Sequence, residues 1–167
     1  MARPAPVHGY SSYQIAIHWT VVALVLFNLF LGNGMEAVYE AQMAGEEIDT
    51  AGPAYVHVTI GISILLIMVA RFAARWSRPV RTAGDSPHRT LAFLGLLNHW
   101  AYYGVLFLIP ILGALAWFGR QEWAGTLHGA LIWVLVGLIL LHVAGVLTHH
   151  LLGENLIRRM GRPTGGT

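Results

Sequence analysis

Apolar residues fill four long blocks of the chain, residues 14–32, 53–71, 91–117 and 121–152, and the polar and charged residues collect between them. A helix needs about 20 residues to cross a hydrocarbon layer roughly 30 Å thick, and each block reaches or approaches that length. Within a bilayer every backbone N–H and C=O group must find a partner inside the protein, which leaves helices or closed barrels. The blocks lack the alternating pattern of barrel strands. The pattern therefore predicts an all-α membrane protein, a four-transmembrane-helix bundle occupying residues 1–167 as a single domain.

Composition narrows this further. The chain is 56% hydrophobic and 11% charged, where soluble domains carry about 25% charged residues. Its expected environment is membrane lipid, and no nucleic-acid partner is expected. With no cysteine, disulfides, thiolate metal sites and covalent haem attachment through a CxxCH motif are excluded. The first block could be mistaken for a signal peptide. It runs about the length of a full span into GNGMEAVYE with no small-x-small cleavage site, so it is read as a retained helix.

Charge sets an orientation. All ten basic residues are arginine. Arg3 precedes the first span, Arg71, Arg75, Arg78, Arg81 and Arg89 lie around the middle connection, and Arg158, Arg159 and Arg162 follow the last span; only Arg120 lies on the other side. The positive-inside rule then puts both termini and the middle connection in the cytoplasm of a multi-pass protein. The opposite surface is acidic: the connection MEAVYEAQMAGEEIDTAGP holds Glu36, Glu40, Glu46, Glu47 and Asp49 with no basic residue. It reads as a solvated loop with a short amphipathic piece at residues 35–43, or as a docking surface for a cationic partner.

The candidate chemistry lies in the histidines, of which there are nine. His8 and His88 fall in polar connections and need no special explanation. His128 and His142 share one span, 14 residues apart, so a helix separates them by about 21 Å along its axis and only about 40° around it. His18 lies at the depth of His142 from the arginine side, and His57 at the depth of His128 from the acidic side. Opposed imidazoles at two levels suit two stacked b-type haems, each iron held by one imidazole above and one below the ring. Each histidine alone could instead be a core residue bonded to its surroundings. Four together inside a membrane make a functional site the stronger reading, because intramembrane ionisable groups are costly. A cation transporter or proton pump fits poorly, since the span interiors carry no Asp or Glu. His99, in LLNHWAYYG, competes for the iron on the arginine side, and His149 lies where a haem propionate, a quinone or the bare interface could meet it. Gly129, Gly137 and Gly145 recur along the last span, and Gly61 follows His57 by one turn; they permit close approach of a ring or a helix. Arg71 stands where it could pair with a propionate.

These segments, SSYQIAIHW with His18, YVHVTIGISILLIMVARF with His57 and LHGALIWVLVGLILLHVAGVLTHH with His128 and His142, resemble the prokaryotic cytochrome b561 family over nearly the whole chain. The resemblance implies four helices in a bacterial inner membrane with two haem b groups in the bundle core. It implies ligation by His18 with His142 and by His57 with His128. It also implies electron exchange with membrane quinone, with ubiquinone as the candidate. Three roles are then open: electron transfer between a periplasmic donor, such as a basic electron-transfer protein, and quinone; a superoxide oxidase that reduces ubiquinone; or a haem-bearing subunit of a larger membrane redox complex. Five carboxylates on the first connection repel an anion such as superoxide, which favours the first role.

Overall fold

A computed structural model describes residues 11–49, 52–77 and 89–153. Among these residues the chain is helical, with α1 Ser12–Leu31, α2 Met35–Ala44, α3 Pro53–Ser77, α4 Arg89–Gly119 and α5 Glu122–Leu151. Four of the five, all but α2, are long and apolar enough to cross a membrane, so the predicted four-helix bundle is the architecture observed.

Local chemistry fixes the ends. At α1 a capping box closes the first turn: Ser11 Oγ accepts from the Gln14 N–H at 3.3 Å, and Gln14 Oε1 accepts from the Ser11 N–H at 3.1 Å, satisfying two donors that the helix start leaves open. The short α2 is bracketed by Gly34 at φ 85° and Gly45 at φ 79°, left-handed positions that glycine occupies without a Cβ penalty. Pro53 opens α3 at a position where its missing N–H costs nothing. Only Arg120 and Gln121 separate α4 from α5, and Arg120 turns the chain at φ 51°.

Two boundaries differ from expectation for a physical reason. The second span was expected to end at the first charge, Arg71, yet α3 continues to Ser77, since long arginine side chains can carry their charge to the interface while the backbone stays helical. The helix α4 has 31 residues, about 46 Å at 1.5 Å per residue, so it is longer than the hydrocarbon layer is thick. The amphipathic piece expected at residues 35–43 is a helix one residue longer.

Packing runs in series, α1 on α3, α3 on α4 and α4 on α5. The core draws on all four spans: Val21 and Val25 from α1, Ile64 and Met68 from α3, Val105, Leu106 and Ile109 from α4, and Leu135 from α5. A second, smaller cluster of Leu112, Ala116 and Ala124 lies toward the acidic end, with Tyr39 of α2 packed against it. Large side chains such as Phe30, Leu66 and Trp133 point outward, as expected where the surroundings are lipid. Among the described residues α1 and α5 share no extensive contact, so the series leaves a seam between them.

Candidate functional site

At the acidic end the structure brings together two of the predicted histidines. His57, one turn into α3, and His128, two turns into α5, face each other with ring centroids 6.2 Å apart and planes at 73°. Both rings are already committed at one nitrogen. His57 Nδ1–H donates to the carbonyl of Asn28 on α1 at 3.2 Å, and His128 Nδ1–H donates to the carbonyl of Ile109 on α4 at 2.8 Å. A carbonyl can only accept, so each Nδ1 carries the proton and each Nε2 keeps its lone pair. Metal–imidazole bonds of about 2 Å on either side of one ion place ring centres roughly 6 Å apart. Spacing, tautomer and opposition therefore fit a haem iron between His57 and His128. Hydrogen bonds that orient a ligating imidazole from its far nitrogen are the usual support of such a site.

The helix α2 closes this end of the bundle. Tyr39 lies over Gly125, where a Cβ would come within 3.3 Å of its ring, and Gln42 Nε2 donates to the Trp117 carbonyl at 3.4 Å. Trp117 in turn meets Tyr55 edge-on at 5.5 Å. With that face engaged, Glu36, Glu40, Glu46, Glu47 and Asp49 are all exposed.

At the arginine end three histidines gather. His99 of α4 and His142 of α5 are ring to ring at 5.9 Å and 74°, and Tyr102 meets His142 edge-on at 5.7 Å. His99 Nδ1–H donates to the Gly95 carbonyl at 2.8 Å. His18 of α1 stands near enough to both for their charges to interact, and its Nδ1 accepts from the half-buried Arg71 of α3 at 3.2 Å. The four residues sequence reasoning set at this level, His18, His99, His142 and Arg71, thus form one cluster. The direct ring pair in it is His99 with His142. His18 and His142 belong to α1 and α5, which share no extensive contact among the described residues. Among the described residues no three His, Asp or Glu side chains converge as a bare-cation site requires, whereas a haem asks for only two.

Sequence reasoning missed three groups. Asn28 and Ile109 act through backbone carbonyls, which leave no mark in a sequence. Asn98, beside His99, is buried with no hydrogen bond to Oδ1 among the described residues; a lone Asn in an apolar run was the available signal. His149, which could have been a plain interfacial residue, is 4% exposed, while its neighbour His150 is exposed. It follows His142 by two turns on the inner face of α5. The glycines Gly129, Gly137 and Gly145 have nothing within 4 Å of a built Cβ, so no close helix contact explains them. His8 and His88 lie outside the described residues.

Comparison with known proteins identifies the family. The chain is 35% identical over 159 residues to cytochrome b562 of Cereibacter sphaeroides, covering 93% of this chain and 96% of that protein. It is 26% identical over 136 residues to the probable superoxide oxidase CybB of Yersinia pestis, covering 80% of this chain and 66% of that protein. The model of the prokaryotic cytochrome b561 family matches residues 9–163. With four spans, opposed histidines at the core and a family match along nearly its whole length, the chain belongs to the prokaryotic cytochrome b561 family of electron-transferring, b-type haem membrane proteins.

Proposed function

We propose that the protein carries electrons across the bacterial inner membrane through two b haems, from a periplasmic donor or partner to membrane quinone, with both termini in the cytoplasm. His57 and His128 hold the haem at the acidic, periplasmic end, and His18 and His142 hold the one at the arginine-rich, cytoplasmic end. The observation that carries this reading is the 6.2 Å opposition of His57 and His128 with both Nδ1 atoms engaged. Haem b, when bound, supplies a reversible one-electron iron couple. With histidine taking both protein-ligand positions at each level, no position would remain open for a substrate, so these residues would hold the haems in place and reaction partners would meet a haem edge. Arg71, once it leaves His18, would pair with a propionate. A second arrangement, His99 with His142 at the cytoplasmic iron, is favoured by their 5.9 Å ring contact.

The purified protein should give two haem b per chain in a pyridine haemochrome assay. One haem, or none, in fully loaded protein would overturn the proposal.

The donor we infer presents a basic face. The five carboxylates around α2 are exposed at the end that the His57 and His128 pair occupies, and a negative field accelerates encounter with cations and slows anions, most at low ionic strength. Likeness to a probable superoxide oxidase favours superoxide as the rival donor. In right-side-out vesicles a membrane-impermeant basic cytochrome should reduce the haems, and Glu46→Gln, Glu47→Gln and Asp49→Asn together should slow it several-fold at low salt with the haem spectrum unchanged. Reduction only in inverted vesicles would reverse the topology. Superoxide consumption near the diffusion limit, with reduction by the basic donor unchanged in the triple variant, would hand the role to superoxide.

A further inference from the structure

The two imidazoles at the acidic end are not seated alike. His57 rests by Gly32, where a built Cβ would lie 3.8 Å from its Cε1, an ordinary contact. His128 rests against Gly113, where a Cβ would come to 3.0 Å from both Cε1 and Nδ1. That is closer than nearly all real Cβ contacts, so a side chain there must displace the ring by a few tenths of an ångström. Gly113 is also one turn beyond Ile109, whose carbonyl takes the His128 Nδ1 proton at 2.8 Å. One turn of α4 therefore holds the ring twice: a carbonyl binds its polar edge and an absent side chain admits its carbon edge. Pro110 lies in the same turn. Proline and glycine both disfavour helix, and a membrane helix tolerates them where neighbouring groups compensate.

We propose that Gly113 is a positioning residue for His128. By lacking a Cβ it lets the imidazole approach α4 closely enough for the short Nδ1–H to Ile109 carbonyl bond, which fixes the tautomer and aims Nε2 at His57. A strong bond from Nδ1–H also raises the basicity of the ligating nitrogen, and a more basic ligand favours the ferric state. The inference rests on the reading of His128 as a haem ligand. A glycine serving only helix packing would have no reason to influence one haem alone.

The test uses the full-length protein in lipid nanodiscs, with Gly113→Ala compared against Gly104→Ala. A Cβ at Gly104, on the same helix, meets nothing within 4 Å. Haem count, a redox titration of each haem and the low-spin ferric electron paramagnetic resonance spectrum are read for each variant. Gly113→Ala should shift the reduction equilibrium of the acidic-end haem at least tenfold toward the ferrous state, about 59 mV for a one-electron couple, or release that haem alone. Gly104→Ala should leave both haems as they are. Unchanged potentials and spectra in Gly113→Ala, or equal changes in both haems, overturn the inference. If Gly113→Ala yields no folded protein, the substitution is repeated in a His128→Gly background supplied with imidazole, where no tethered ring is present to clash. Recovery of folded protein there supports the inference, and failure there too overturns it. Should His128→Ala itself retain two haems, the ligand reading fails separately.

Discussion

Alanine in place of His57 or of His128 should remove one haem from each chain and leave the other. The two residues are interchangeable in this respect because each would supply one of the two protein ligands of the same haem. Their rings are 6.2 Å apart on different helices. Loss of either leaves the remaining imidazole with a single bond on a ring otherwise held by packing. The rest of the bundle should persist. The main core is built from Val21, Val25, Ile64, Met68, Val105, Leu106, Ile109 and Leu135, of which Ile109 alone is hydrogen-bonded to either ring, through its backbone carbonyl. The Ile109 carbonyl freed in His128→Ala remains within α4, so its loss is a missing tertiary bond worth about 1 kcal/mol. A pyridine haemochrome assay should read half the wild-type value, and a redox titration should show the single remaining wave at its original position. Supplying free imidazole to His128→Ala should restore part of the lost absorbance. Two haems retained in either variant would remove this pair from the ligand set.

The legibility of this protein follows from what lipid demands. A span must hold about 20 apolar residues, so the centres of the four helices stand out in the sequence, and with them the depth of each histidine. Depth sufficed to put His57 level with His128, and the structure brings their ring centroids within 6.2 Å. Ends are harder to read, because the requirement lapses at the interface: α3 runs on past Arg71 to Ser77. The docking of α2 was not legible, since it depends on Tyr39 finding Gly125 and Gln42 finding the Trp117 carbonyl, contacts between segments some eighty residues apart. Nor were the groups that orient the imidazoles, because the Asn28 and Ile109 carbonyls belong to the backbone and any residue type would supply them. At the arginine end depth paired His18 with His142 and left His99 as the competitor, and helix packing rather than periodicity decides which of them meets His142.

That competition sets the other large effect. His142→Ala should abolish the haem at the arginine end under either arrangement, so the informative variants are His18→Ala and His99→Ala. His18 accepts a hydrogen bond from Arg71 at Nδ1, and a neutral imidazole accepting there carries its proton on Nε2. To bind iron through Nε2 it must move that proton to Nδ1, and Arg71 must turn away, which a propionate carboxylate would reward with a charge-assisted bond. His99 needs no such change, as its Nδ1–H already bonds the Gly95 carbonyl. Against it stands its place on α4, which packs directly against α5; the flat ring of a haem needs separated helices, and α1 and α5 border the seam. The expected result is therefore that His18→Ala loses the arginine-end haem, with the haemochrome value halved, while His99→Ala keeps two haems and only perturbs the spectrum of one. Arg71→Gln, which cannot pair ionically with a propionate, should keep both haems and lower the potential of the arginine-end haem, because a cation near the iron favours the ferrous state. If His99→Ala halves the haem content and His18→Ala preserves it, the ring pair at 5.9 Å is the ligand pair, and His18 with Arg71 becomes its polar neighbour.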